Sequence, residues 1–301
     1  MMEPRAIGVA AALGSAASWA VGSILFKRLG ERLSSLAMTL TKGGVSVLLL
    51  GIVLVFTGYA SIDGHSLLLL ILSGVLGIAL GDTFFFEALQ DLGPHALVLL
   101  LMSGQVFTVV LAVLFLEESP TLMAWIGIAL VLSGIGIVLL TKLSGEQQAS
   151  SWRGIGFGLL SVFCMSVSII IADIVLESLP ALPVIQKTIQ ATFIRMISGT
   201  TGMFCFGMAT RRLERWVMPF KDPQLIYFFA ISVCVVTFGG FWLSLVAIDY
   251  IDVSIANTLN STEPLFILPL AAIFLKEKIT LSAMLGTAIA TAGVALLCAN
   301  P

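Results

Sequence analysis

Four ionisable residues, Lys42, Asp82, Arg195 and Glu263, stand deep inside long apolar runs of a 301-residue chain. At the centre of a lipid bilayer each costs about 2.5–3.5 kcal/mol even on the lenient insertion scale, so each must face the protein interior or a water-filled cavity and find a partner. Two carboxylates and two cations in such places suit one of two purposes. They can be fixed ion pairs that hold helices together, or they can line a path that binds substrate and exchanges a proton. Glu263 belongs to "ANTLNSTEPLF" and is followed by Pro264. Pro264 removes a backbone donor and clashes with the preceding turn, which predicts a helix kink and a freed carbonyl near Asn260. Asn257, Asn260, Ser261, Thr262 and Glu263 form a polar string ahead of that kink. Asn260 and Glu263 lie three apart and share a face, which Asn257 extends.

Depth sorts these groups. At about 1.5 Å rise per residue, Arg195 and Glu263 are each roughly 18 Å from either end of their segments, while Lys42 and Asp82 share a layer about 10–12 Å deep. The depths therefore allow two opposite-charge pairs, Lys42 with Asp82 and Arg195 with Glu263. Asp82, beside three phenylalanines in "GDTFFFEAL", is the better candidate than Glu87 near its segment end. Trp19, with Ser15 and Ser18, offers a polar-aromatic face, and Trp242 is expected to cover a cavity from the eighth segment. His95, following a helix-starting Pro94, reads as a surface residue.

These residues need a scaffold, and composition defines it. The chain is 58% hydrophobic and 11% charged, with a mean hydropathy of +1.09, whereas soluble domains carry about 25% charged residues. Charges separate apolar runs of about 20 residues, the length that spans a hydrocarbon core about 30 Å thick. Ten such segments can be marked, at about 6–26, 34–57, 66–89, 94–116, 122–141, 152–174, 183–208, 224–247, 251–275 and 281–299. Helices satisfy their own backbone in lipid, and the alternating strands of a barrel are absent, so the expected fold is an all-α integral membrane protein. The N-terminal run reads as the first spanning helix rather than a removed signal. Cys164, Cys205, Cys234 and Cys298 lie in apolar runs without CxxC spacing and read as buried small hydrophobes, not metal ligands. A net charge of −2 with no basic stripe offers nothing to nucleic acid. No metalloprotease, P-loop or nucleophile-elbow motif is present, so neither an enzyme nor a cofactor is expected.

The chain also repeats itself. "ALQDLGPHALVLLLMSGQVFTVV" onward lies over "AIDYIDVSIANTLNSTEPLFILP" onward without a gap. Ala88 pairs with Ala247, Glu118 with Glu277, Gly127 with Gly286 and Gly134 with Gly293, at a constant offset of 159. "TLTK" ending at Lys42 matches "TFIR" ending at Arg195. Residues 1–145 and 152–301 thus form two five-helix halves. Because five is odd, the second half enters the membrane inverted, an arrangement associated with a midplane substrate site between the repeats. Gly104 and Gln105 stand where the second half has Glu263 and Pro264. The four repeated glycines have spacing that lets backbones approach. Loop charges, including Lys27, Arg28, Arg211, Arg212 and Arg215 on one side against Arg5 and Lys187 on the other, put both termini outside the cytoplasm.

Together, "VLFLEESPTLMAWIGIALVLSG", "AIFLKEKITLSAMLGTAIATAG" and "STEPLF" resemble the EamA-type permeases of the drug/metabolite transporter superfamily. The resemblance implies ten helices and a proton- or gradient-coupled carrier in a bacterial inner membrane, often an exporter of amino acids or other metabolites, working by alternating access. It also implies termini in the cytoplasm, opposite to the loop charges. Gln105 and Lys42 depart from the family's usual proline and arginine. The expected partners are a small-molecule substrate, the lipid bilayer and protons or another coupling ion. Two other functions compete: a flippase for lipids or lipid-linked sugars, and an intramembrane enzyme or assembly factor.

Overall fold

The computed structural model describes residues 4–104, 106–107, 121–143, 148–179, 182–217, 222–251, 253–260, 262–276 and 280–299. Regular structure among these residues is helical throughout. The helices are α1 (Pro4–Leu29), α2 (Ser35–Thr57), α3 (Gly64–Leu92), α4 (Pro94–Leu101), α5 (Leu122–Leu143) and α6 (Gln148–Ser178). They continue as α7 (Val184–Ala209), α8 (Leu213–Val217), α9 (Pro223–Tyr250), α10 (Val253–Asn260), α11 (Glu263–Phe274) and α12 (Leu281–Ala299). Local chemistry sets their ends. Ser34, Asp63 and Asp222 accept backbone N–H bonds from the first turns of α2, α3 and α9, satisfying donors that a helix start leaves open. Gly93 takes φ +80°, which lets α3 turn at once into the proline-started α4.

Long apolar stretches of α1, α2, α3, α6 and α9 are sufficient to cross a membrane, and Trp125–Leu140, Glu263–Phe274 and Leu281–Leu296 are shorter apolar helices. Helix α2 makes the solvent plain. Leu48, Ile52, Val55 and Phe56 are each more than half exposed, while Thr39, Lys42 and Ser46 are buried on the same helix. Apolar outside and polar inside is the polarity that lipid imposes.

Lipid tails are as apolar as leucine, so association has to come from close packing and interhelical hydrogen bonds. Helices α5 and α12 show the first. They run antiparallel, and a Cβ on Gly134 would stand 2.5 Å from the Gly286 carbonyl oxygen; one on Gly293 would stand 2.8 Å from that of Gly127. These are the four glycines of the repeat, in the expected packing role. The second mode joins α1 to α9 and α3 to α6: Ser15 donates to the Gly240 carbonyl and Ser161 to that of Gly81, each at 3.0 Å.

Two irregularities recur in both halves. Helices α3 and α9 each contain a π-helical stretch, Val75–Gly81 and Val235–Trp242, at nearly equivalent positions of the repeat. Helices α4 and α10 have the same eight-residue length and begin and end at equivalent residues. The expected kink at Pro264 is therefore a break. Helix α10 stops at Asn260, and α11 restarts at Glu263 with Pro264 in its first turn. Proline at a helix start needs no donor, which explains the restart. The first half breaks after Leu101 without a proline.

Gly134→Val should overpack the α5–α12 contact and cost about 1–3 kcal/mol. Gly136→Ala, where a Cβ meets nothing within 4 Å, should be neutral. Thermal unfolding of the detergent-solubilised protein tests both, and equal midpoints would refute the contact.

Candidate functional site

A cavity of 270 Å³ lies among α1, α3, α4, α6, α7, α9, α10 and α11. Its wall divides by chemistry. Trp19, Phe85, Val98, Leu101, Met102 and Gly104 come from the first half of the chain, and Ser166, Ser168, Arg195, Ser244, Asn260 and Glu263 from the second. Three repeat-equivalent pairs are among its lining residues, Phe85 with Ser244, Leu101 with Asn260 and Gly104 with Glu263. The polar members are thus concentrated in one repeat. Phe241, Met165 and Ile169 add apolar surface from that same repeat.

Lys42 and Asp82 form the expected ion pair, with side chains 0% and 1% exposed. They do not line the cavity but lie behind its wall. Phe241 connects the two sites: it lines the cavity, and the Lys42 ammonium sits 4.4 Å from its ring centroid, a favourable cation–π distance. Arg195 does line the cavity. It donates from Nη2 to Ser168 Oγ at 3.1 Å, and its buried Nε has no hydrogen-bond partner.

Glu263 is the first residue of α11, half-buried and facing the cavity. The depth-matched pair of Arg195 with Glu263 is not formed: both line the cavity, and no contact within 4.0 Å joins them. Asn260 donates to Ser244 Oγ at 3.3 Å, leaving its buried Oδ1 without a partner.

Trp19 lines the cavity as expected, held edge-on by Phe85 and Phe241. Trp242 does not. It turns to α7, donating its indole N–H to Thr188 Oγ1 at 3.1 Å. Its neighbours Phe241 and Ser244 line the cavity, and at about 100° per residue Trp242 is turned away from Phe241 towards α7. Gln105 and the Asn257 side chain lie outside the described residues. His95 is 7% exposed and packed inside, not a surface residue. Cys164 is buried as expected, whereas Cys205 and Cys234 are exposed on the apolar exterior.

Two features escaped sequence reasoning. Ser166, Ser168 and Ser244 line the cavity, yet lone serines in apolar helices carry no distinguishing signal. Lys187 and Asp249 form a second buried ion pair, with side chains 10% and 6% exposed. Their places near segment ends read as loop charges.

Sequence comparison now adds to the geometry. The EamA-like transporter family matches the sequence over residues 6–140 and again over 152–299. The chain belongs to the EamA-like transporter family. It is an integral, multi-pass membrane protein of the drug/metabolite transporter type. No curated protein matches the sequence. One solved structure, described only as a crystal structure of a protein, is similar over 94% of this chain and 96% of its own, at 14% identity and a TM-score of 0.49.

In this EamA-like protein, Asp249→Asn should strand a buried Lys187 and destabilise by up to about 3–5 kcal/mol, and Lys187→Met in addition should restore most of the loss. A thermal-unfolding double-mutant cycle measures this. Additive losses would show that the pair is not coupled.

Proposed function

We propose that this protein is a secondary-active exporter that moves a small polar metabolite, such as an amino acid, out across a bacterial inner membrane by alternating access. The observation that carries the reading is that Arg195 and Glu263 face one cavity without neutralising each other. A buried cation and carboxylate left apart at this depth are costly, and a zwitterion relieves both costs at once. Its carboxylate meets the Arg195 guanidinium, a planar fork suited to carboxylate recognition. Its ammonium meets Glu263 and the open Oδ1 of Asn260. Trp19 and Phe85 take up the apolar part. The cavity volume suits a molecule of that size and is small for a lipid or a lipid-linked sugar.

The scaffold in this reading is ten membrane crossings in two inverted five-helix repeats, residues 1–145 and 152–301. Two sets of contacts support the inversion. Under the repeat, Gly127 against Gly293 becomes Gly286 against Gly134, the contact seen between the antiparallel α5 and α12. With the first helices of the two halves aligned to pair Gly8 with Gly154 and Ser15 with Ser161, the Ser15–Gly240 bond likewise becomes Ser161–Gly81. Reciprocal pairs are what a two-fold axis between the halves produces, and equivalent helices meeting antiparallel across it require opposite orientations. The breaks between α10 and α11 and after α4 match the discontinuous helices that form midplane sites in such carriers.

Glu263 supplies the coupling. Protonated, it releases the substrate ammonium; ionised, it binds the next one, so that inward proton movement drives export. Glu263→Gln should abolish flux driven by a pH gradient in proteoliposomes and leave the thermal midpoint of the empty protein unchanged or raised, because an unpaired charge is removed. Flux at the wild-type rate would remove Glu263 from the mechanism.

A further inference from the structure

The two buried cations are equivalent under the repeat, and so are two residues that face them. Lys42 corresponds to Arg195, and Asp82 to Phe241. Structure supports both alignments independently of these residues. The bond of Ser46 to Thr237, 2.6 Å between hydroxyl oxygens, maps onto the close contact of Gly199 with Ile78, where a Cβ would stand 2.7 Å from the isoleucine Cβ. A pseudo-symmetric quartet therefore sits beside the cavity, with two cations but only one carboxylate. Lys42 now holds that carboxylate and also lies over the Phe241 ring. One oxygen, Asp82 Oδ1, is buried without a hydrogen-bond partner, and so is Arg195 Nε.

Resting on the alternating-access reading, we infer that Asp82 is a shared counter-ion that passes from Lys42 to Arg195 when the cavity changes the side to which it opens. The reason is geometric. If the halves trade conformations between the two states, each contact is replaced by its repeat-related image. The image of Lys42 over Phe241 is Arg195 over Asp82. The image of Lys42 bonded to Asp82 is Arg195 against Phe241. In the second state Arg195 thus approaches Asp82 and Phe241 together, as Lys42 does now.

A single carboxylate then serves both states, and one cation is always released from it. Here the released cation is Arg195, which faces the cavity and can take a substrate carboxylate. When Arg195 turns to Asp82, the same substrate loses its partner. Asp82 therefore competes with substrate for Arg195, which ties occupancy to the side of opening. A second acid at the position of Phe241 would give each cation its own partner and remove the competition.

The test uses Ser166→Cys as a reporter on the cavity wall, in a chain whose native cysteines are replaced by alanine. A membrane-impermeant maleimide is applied to either face of sealed vesicles without substrate, and the ratio of the two labelling rates reports the side of opening. Arg195→Met leaves Asp82 on Lys42, and Lys42→Met leaves it to Arg195. The two substitutions should shift the ratio in opposite directions, each by at least about fivefold, the size of a typical coupling. Asp82→Asn should abolish both shifts. Should Lys42→Met fail to fold, the Arg195→Met shift must still vanish in the Asp82→Asn background. A shift that survives Asp82→Asn, two shifts in the same direction, or no shift would overturn the exchange. Labelling from one face only, in the parent reporter chain, would instead overturn alternating access itself.

Discussion

One carboxylate, Asp82, for the repeat-related cations Lys42 and Arg195 is the constraint around which this molecule is arranged. Charges deep in a membrane are tolerated only with partners, and Lys42 and Asp82 satisfy each other behind the cavity wall. Arg195 forms no ion pair among the described residues and lines the cavity, where its guanidinium donates to the Ser168 hydroxyl. The surrounding helices are held by contacts that do not use these groups. Glycines bring α5 and α12 together, and serine hydroxyls tie α1 and α6 to the carbonyls of the irregular turns in α9 and α3.

Function in this account comes from departures from symmetry. The repeat brings equivalent residues to one cavity, and in each of three such pairs the second half supplies the polar member: Ser244 for Phe85, Asn260 for Leu101, Glu263 for Gly104. The two halves keep equivalent helices and contacts, and their divergence leaves the polar lining of the cavity concentrated in the second half. The broken fourth helix in each half belongs to the scaffold, since it occurs with a proline in one repeat and without one in the other.

Much of this was legible in the sequence, because membrane depth is a one-dimensional quantity that residue counting measures. It set Lys42 and Asp82 in one layer, and the structure joins them. It set Arg195 and Glu263 in another, and both reach the same cavity. Counting gives no azimuth, however. Whether two groups at one depth touch depends on how their helices are rotated, and Arg195 and Glu263 do not touch. Rotation is also what misled the expectation for Trp242, which follows the cavity-lining Phe241 by one residue and so points about 100° away from it. The break before Pro264 was read as a kink because proline signals the interruption without saying whether the chain bends or restarts. The lining serines were silent for another reason: buried serines elsewhere in the chain, such as Ser46, do structural work with the same residue type.

The central claim is that Arg195 and Glu263 together form the site for a zwitterion. The most direct measurement is the thermal midpoint of the purified protein in a series of amino acids and of their amine-only and carboxylate-only analogues, compared with Glu263→Gln and Arg195→Ala. The account predicts that at least one amino acid raises the wild-type midpoint, that both single-charge analogues are weaker, and that each substitution removes the response. A midpoint raised equally in the wild type and both variants would contradict it.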